Sequence, residues 1–291
     1  MTHTFEERPS VLDNPRSERI RQVAALSGRS FRKKSGRILV EGPQAVRELI
    51  RFRPETLVDV YFTPAASTRH ADVFDEATRE TRWVHLMSDQ VGDKISRDSQ
   101  GVVAVATDRA VSVPADQASR VFARAATNGS KEQGASFSVL LPQVQDPGNV
   151  GTIIRTADAM GAKAVFLGQE SADPSNPKVI RASAGSVFHL PLVQGDFTDV
   201  VAQMRGLGAE IVGTALGERQ EDLNEWVDLG SAGPLGAPHM WVFGNEARGL
   251  SEDEKSACDR LVHIQMAGDA ESLNASAAAA ICLHASSFVN R

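Results

Sequence analysis

Hydrophobic residues follow two different rhythms along the chain, one in each half. In the first half, short β-branched runs at RILV (37–40), LVDVYF (57–62), RWVHL (82–86) and GVVAVA (101–106) predict strands. PQAVRELIRF predicts a helix opening at Pro43, with Ala45, Val46, Leu49 and Ile50 at helical spacing. SDQVGDKI predicts a second helix, with Ser88 as its N-cap. Apolar density then drops from Thr107 to Ser136, where ADQASRVFARAA predicts a helix and TNGSKEQGAS a loop or linker.

In the second half, SFSVLL (136–141), AKAVFLG (162–168), AEIVGTA (209–215), HMWVFG (239–244) and RLVHIQ (260–265) carry little polar alternation. Strands of that kind are buried on both faces, as in a parallel sheet flanked by helices. The intervening helices are expected at 151–160, 176–184, 197–206, 251–258 and 272–288. The fold expected is therefore α/β, a mostly parallel C-terminal sheet with flanking helices preceded by a smaller α+β domain. Its divisions are a flexible segment at 1–18, a first domain at 19–107, a linker at 108–136 and a second domain at 137–291. Each strand of the second half ends in a loop rich in glycine or small polar residues, and ligands gather at strand C-termini in such sheets.

Composition narrows the classes. A chain of 291 residues with 42% hydrophobic and 23% charged residues reads as an ordinary globular protein of one or two domains. The first thirty residues contain no apolar run of signal-peptide length, and no segment has the roughly 18 consecutive apolar residues of a membrane span. Cys258 and Cys282 lack metal-like spacing and read as reduced thiols of a cytoplasmic protein. The net charge of −6 speaks against nucleic acid, but its distribution does not. Between Arg16 and Arg53, eleven basic residues face three acidic ones, a local +8. FRKKSGR (31–37) is the densest part. Arg29, Arg32, Lys33, Lys34 and Arg37 are accordingly candidates for an RNA-facing edge, with a plainly solvated face as the alternative.

Several standard chemistries are missing. GNVGTI does not complete the Rossmann G-x-G-x-x-G, no P-loop string occurs, and no G-x-S-x-G elbow is present. The seven histidines include no pair at metal-ligand spacing, so no metal is expected. Three loop stretches remain: DPGNVGTIIRTADAMGA from Asp146, VFGNEARGLS (242–251) and IQMAGDAESLNASAAAA (264–280). Each has an ordinary explanation taken alone. Asn149 could cap the helix that follows it, Gly148 could supply a positive-φ turn, and Arg155 could be an exposed helical arginine. Glu246 could pair with Arg248, and Ser272 could cap the last helix.

Together and in this order, the three stretches resemble the signature motifs of the SpoU (TrmH-type) RNA ribose 2′-O-methyltransferases, within the SPOUT superfamily. The likeness covers roughly residues 137–290. RILVEGPQAVRELI and SQGVVAVA resemble the substrate-binding domain that often precedes the catalytic one and is itself similar to a small ribosomal protein. One departure is Gln265, where the family usually has proline.

The resemblance implies an S-adenosylmethionine-dependent RNA 2′-O-ribose methyltransferase with a deep trefoil knot, acting as a homodimer on ribosomal (23S) RNA. By the same likeness Thr214, Gly244, Ile264 and Leu273 would bind the cofactor. Arg155, Asn149, Glu246, Ser272 and Asn274 would form the catalytic set, with Arg155 at work on the ribose hydroxyl or an RNA phosphate. The Ala-rich last helix suits close packing, either within the chain or between two copies. RASAGSVFHLPL, from Arg181, also resembles a family segment and either faces RNA or ends a core helix. A tRNA 2′-O-methyltransferase and a non-catalytic RNA-binding or ribosome-assembly protein on the same fold are the alternatives.

Overall fold

The computed structural model describes residues 11–113, 115–126, 135–215 and 220–290. The first ten residues of the expected flexible segment and residues 127–134 of the expected loop at 127–136 lie outside the described residues. Two compact units emerge, one of Met1–Ala110 with Ser175–Phe188, the other of Val111–Pro174 with His189–Arg291.

The first unit opens with α1 (Glu18–Ala25) and α2 (Arg29–Ser35), followed by β1 (Arg37–Glu41), α3 (Pro43–Phe52) and β2 (Leu57–Phe62). Next come α4 (Pro64–Arg69), α5 (Ala71–Glu80), β3 (Val84–Leu86), α6 (Asp89–Ile95) and β4 (Val102–Thr107). The strands form a mixed sheet in the order β1-β4-β2-β3, with β4 antiparallel to both its neighbours and β2 parallel to β3. α3 starts with Pro43 at its first position and buries Ala45, Val46, Leu49 and Ile50, the stripe its spacing predicts. Ser88 caps α6 by accepting from the Val91 amide. Leu12 exchanges backbone hydrogen bonds with Leu86 and Ser88, at 2.8 and 2.9 Å. This ties residues around Leu12, part of the segment expected to be flexible, to the β3 edge.

The second unit begins with α7 (Ala115–Ala126), β5 (Phe137–Leu141), α8 (Pro147–Met160) and β6 (Val165–Leu167). The short helix α9 (Pro177–Ala182) then departs and packs on β1 in the first unit. Glu41, 5% exposed, holds the segment through Arg181. A buried carboxylate needs a cation, and Arg181 donates to it and to Asp98. Ser183 and the Ser186–Phe188 turn are buried beside it, so this stretch closes a core instead of presenting a free surface.

The chain returns with β7 (Leu192–Gln194), α10 (Phe197–Gly206), β8 (Glu210–Thr214), β9 (Glu221–Asp222) and α11 (Leu223–Leu229). It ends with β10 (His239–Val242), α12 (Glu252–Ser256), β11 (Arg260–His263) and α13 (Ala275–Val289). The seven strands are all parallel, in the order β7-β6-β5-β10-β8-β11-β9. Burial explains their sequences, since β5, β6 and β10 have no exposed residue and therefore no polar alternation. Phe166, Ile211, Met240 and Val242 anchor one core cluster, against which α7 and α10 pack. α8 and α13 pack against each other, bringing together the helices that follow the first and third loop stretches. Among the described residues, no helix is long and apolar enough to cross a membrane.

Candidate active site

A cavity of about 370 Å³ opens in the second unit, a volume in the range of small-ligand sites. It is built by loops at strand C-termini, where a parallel sheet leaves a crevice. Thr214 comes from the end of β8, Phe243–Leu250 follow β10, and Ile264, Met266 and Glu271–Leu273 follow β11. All four residues expected to bind the cofactor, Thr214, Gly244, Ile264 and Leu273, line it, as do Glu246 and Ser272. Val262, Ile264, Met266 and Leu273 give it an apolar body, and Glu246, Ser272 and Glu271 a polar rim.

The second loop folds back tightly on itself. Asn245 and Gly249 exchange backbone hydrogen bonds at 3.0 and 2.8 Å. A Cβ on Gly244 would lie 2.3 Å from the Gly249 carbonyl carbon and 2.5 Å from the Leu250 nitrogen, so only glycine fits. The Asn245 side chain accepts from the Ala247 amide and donates to the Gln143 carbonyl, at 3.0 Å each. Arg248 reaches from the same loop to the Gln143 side chain.

Beside this cavity three side chains from the three loops meet in a relay. Asp146 caps α8 by accepting from the Asn149 amide at 2.9 Å, so the cap is not Asn149 itself. Gly148 is not in the left-handed region. It leaves room for the cap, since a Cβ there would meet Asp146 Oδ1 at 2.9 Å. With the cap supplied, the Asn149 carboxamide is released to donate from Nδ2 to Glu246 Oε1 at 3.0 Å. The Asp146 amide donates to the same oxygen at 3.3 Å.

On the other side Asn149 Oδ1 accepts from Asn274 Nδ2 at 3.1 Å. Asn274, not Ser272, caps α13, its Oδ1 accepting from the Ser276 amide at 2.9 Å and the Ser276 hydroxyl at 2.6 Å. The cap fixes which way both amides point. Asn274 Oδ1 is used by the helix, so its NH₂ must donate, so Asn149 must accept with oxygen and donate with nitrogen. Glu246 closes the chain as the acceptor, and among the described residues Arg248 pairs not with it but with Glu170, at 4.0 Å.

Arg155 does not join this relay. It sits on the exposed face of α8, with no hydrogen bond or ion pair among the described residues. Six residues past Asn149 it lies about 9 Å further along the helix axis. On α13, which packs against α8, Ala277, Ile281, His284 and Phe288 form an exposed stripe, with Ile281 41% and Phe288 57% exposed.

The basic segment divides in two. Arg29, Lys33, Lys34 and Arg37 are exposed. Arg32 is 4% exposed and donates to the carbonyls of Leu26 and Ser27 and to the Ser175 hydroxyl, so it is a structural clamp. Arg47 and Arg51 are spent on Asp72 and Glu76, joining α3 to α5. Sequence counts charge, and only the fold shows that Arg32, Arg47 and Arg51 are enclosed or paired.

Neither thiol is suited to nucleophilic work. Burial, helped by Asp259 and Glu254, pushes Cys258 up to about 12, and burial pushes the fully enclosed Cys282 higher still. Among the described residues no cluster of His, Cys, Asp or Glu could hold a metal ion. Asp146, Gln143 and Asn245 are absent from the expected site. Asp146 precedes a proline-started helix in DPGN, a capping signal that sequence could have yielded.

The SpoU rRNA Methylase family profile matches residues 136–284, a little over half of the chain. The chain belongs to the SpoU rRNA methylase family. A second profile, RNA 2′-O ribose methyltransferase substrate binding, matches residues 39–110. The 23S rRNA (guanosine-2′-O-)-methyltransferase RlmB of Bordetella pertussis is 30% identical over 85% of this chain and 96% of its own length. The 23S rRNA (uridine(2479)-2′-O)-methyltransferase of Streptomyces viridochromogenes is 31% identical over 92% and 89%. In structure, this SpoU chain is similar to the AdoMet-bound rRNA methyltransferase of Sinorhizobium meliloti (TM-score 0.75, 25% identity, 95% and 97% coverage). It is also similar to AviRb from Streptomyces viridochromogenes in complex with AdoMet (TM-score 0.73, 28% identity, 94% and 98% coverage).

Proposed function

We propose that this SpoU family protein transfers a methyl group from S-adenosylmethionine to a ribose 2′-hydroxyl of ribosomal RNA, in the cytoplasm and on 23S RNA in particular. The observation that carries the reading is the Asn274–Asn149–Glu246 relay beside a cavity lined by Glu246 and by the second and third family loops.

Thr214, Gly244, Ile264 and Leu273 would hold the cofactor, the apolar side chains against its adenine and the glycine giving close backbone approach. S-adenosylmethionine, when bound, supplies an electrophilic methyl group. A ribose hydroxyl is a poor nucleophile until its proton is accepted or its developing charge is stabilised. Asn149, locked between Asn274 and Glu246, and Ser272 at the cavity rim position the hydroxyl and the loops around it. Glu246 holds the network as its terminal acceptor. A guanidinium carries five donors and no acceptor, so Arg155 acts by stabilising charge and clamping an RNA phosphate, not as a base.

Because Arg155 stands apart from the relay of its own chain, the functional unit in this reading is a homodimer in which it serves the partner's site. The apolar stripe of Ala277, Ile281 and Phe288 on α13 supports that assembly, since a second copy would cover it. The trefoil knot around the third loop belongs to the same reading. The domain at 19–107, with Arg29, Lys33, Lys34 and Arg37 on its surface, would grasp the RNA.

Incubation with labelled S-adenosylmethionine and either rRNA or tRNA from an unmodified source tests the assignment. Label in rRNA is expected. Label in tRNA alone moves the substrate, and RNA binding with no cofactor uptake replaces the enzyme by an assembly factor.

A further inference from the structure

A second cavity lies far in sequence from the methyltransferase loops, within the first unit, under α1 and α2 against the sheet. Its volume is about 430 Å³. Its walls include Arg19 and Gln22 of α1, Phe31 of α2, Arg37 at the start of β1, and Asp59 and Tyr61 of β2.

The polar groups are held in place before anything binds. Arg19 donates from Nε to the Tyr61 hydroxyl at 3.0 Å and from Nη2 to Asp59 at 2.7 Å, and His85 Nε2 lies 3.0 Å from the same carboxylate oxygen. Burial works against charge on Asp59, but the hydrogen bond to His85 and the Arg19 guanidinium hold its carboxyl below the ordinary value. Tyr61 is fully buried and its hydroxyl is pushed up to about 12, mainly by burial. Arg37, in contrast, is exposed at the rim and has no hydrogen bond or ion pair among the described residues. Phe31 is only partly buried against the core beneath it.

An aromatic ring, a fixed carboxylate, an exposed amide whose nitrogen donates to Glu18 at 3.2 Å and whose oxygen is left to accept, and an unpartnered guanidinium at the mouth suit a ligand with a flat apolar body, N–H donors on its edge and an attached anion. That description is a nucleotide. Sequence-specific recognition of RNA works on bases splayed out of the helix and stacked on side chains.

We infer that this cavity takes one unstacked nucleotide of the RNA substrate, its base against Phe31 and facing Asp59 and Gln22, and its phosphate on Arg37. The inference rests on the RNA-methyltransferase reading above and adds a recognition subsite to it. It makes Phe31 a specificity residue, set apart from the surface lysines that attract any polyanion.

Filter binding of the full-length protein to an unmethylated 23S rRNA transcript, at several salt concentrations, tests it. Phe31→Leu keeps an apolar group for packing but removes the ring. It is expected to lower affinity about tenfold with the salt slope unchanged. Arg37→Ala should reduce the salt slope by about one. Both variants should bind S-adenosylmethionine as the wild type does, and thermal melts establish that they fold. Phe31→Trp, which restores a stacking face, should recover binding. Wild-type affinity in Phe31→Leu overturns the subsite and leaves the methyltransferase reading intact. A wild type that never binds rRNA sinks that reading first. Micromolar binding of free AMP, GMP, CMP or UMP at Phe31 would make this a small-molecule site and overturn the RNA assignment.

Discussion

Asn274 Nδ2 donates to Asn149 Oδ1 across 125 residues of chain, and this bond fixes the polarity of the carboxamide that faces Glu246. Asn149→Asp would place a second carboxylate against Glu246 where a donor is required. Its turnover should fall by on the order of 10²-fold or more, and further than that of Asn149→Ala. Steady-state kinetics on the two variants checks the order. Equal losses would mean that the polarity of the relay is irrelevant.

The cap and the relay can be separated at Asn274. Asn274→Ala loses the α13 cap and should cost about 1 kcal/mol of stability, together with activity. Asn274→Ser keeps an N-cap oxygen but cannot reach Asn149. It should melt close to the wild type and remain slow. Wild-type turnover in the serine variant would reduce Asn274 to a helix cap.

His239 gives a pH dependence with a definite sign. Nδ1–H donates to the Ala237 carbonyl at 2.7 Å, and Nε2 accepts from the Ser286 hydroxyl, which itself accepts from Trp241 Nε1 at 2.8 Å. Burial drives the imidazole down to about 4, the Ala237 bond pulling weakly the other way. Between about pH 6.5 and 4 the unfolded chain takes up a proton that the native state refuses. Stability from this site is complete above that window and falls with pH inside it, by up to about 1.4 kcal/mol per unit. Urea melts at pH 7.5, 6 and 5 should show a steeper decline for the wild type than for His239→Gln. Parallel declines would remove His239 as the cause.

The parallel sheet was legible because strands buried on both faces leave unbroken apolar runs, and β5, β6, β8, β10 and β11 all fall inside the runs read as strands. β9, with only Glu221 and Asp222, offers no such run and is visible only through its pairing with β11. α1 is equally faint, because Ile20 and Val23 are its only buried residues. The residues that line the cavity and form the relay lie in the loop stretches picked out from sequence, but the division of hydrogen bonds among them could not be read there. Asp146 takes the capping duty that Asn149 could have had, and this becomes apparent only when Asn149 Nδ2 is found on Glu246. Arg32 and Arg37 differ by five positions and not at all in charge, yet one is enclosed by carbonyl oxygens and the other faces solvent.

Arg155 tests the dimer. Arg155→Ala should lose about 10²- to 10⁴-fold in rate with cofactor affinity intact. Mixing and refolding it with Asn149→Asp, the more impaired of the two Asn149 variants, creates heterodimers in which one site has an intact relay faced by an intact arginine. A partial return of activity on mixing is expected. If the arginine serves its own chain, both sites of the heterodimer remain defective and the mixture stays silent.

The most direct measurement follows a labelled methyl group from S-adenosylmethionine into 23S rRNA and identifies the modified nucleoside by mass spectrometry after digestion. A single nucleoside methylated on the ribose 2′-oxygen is expected, formed by the wild type and lost in Arg155→Ala. Label on a base, or undiminished ribose methylation by Arg155→Ala, would contradict that expectation.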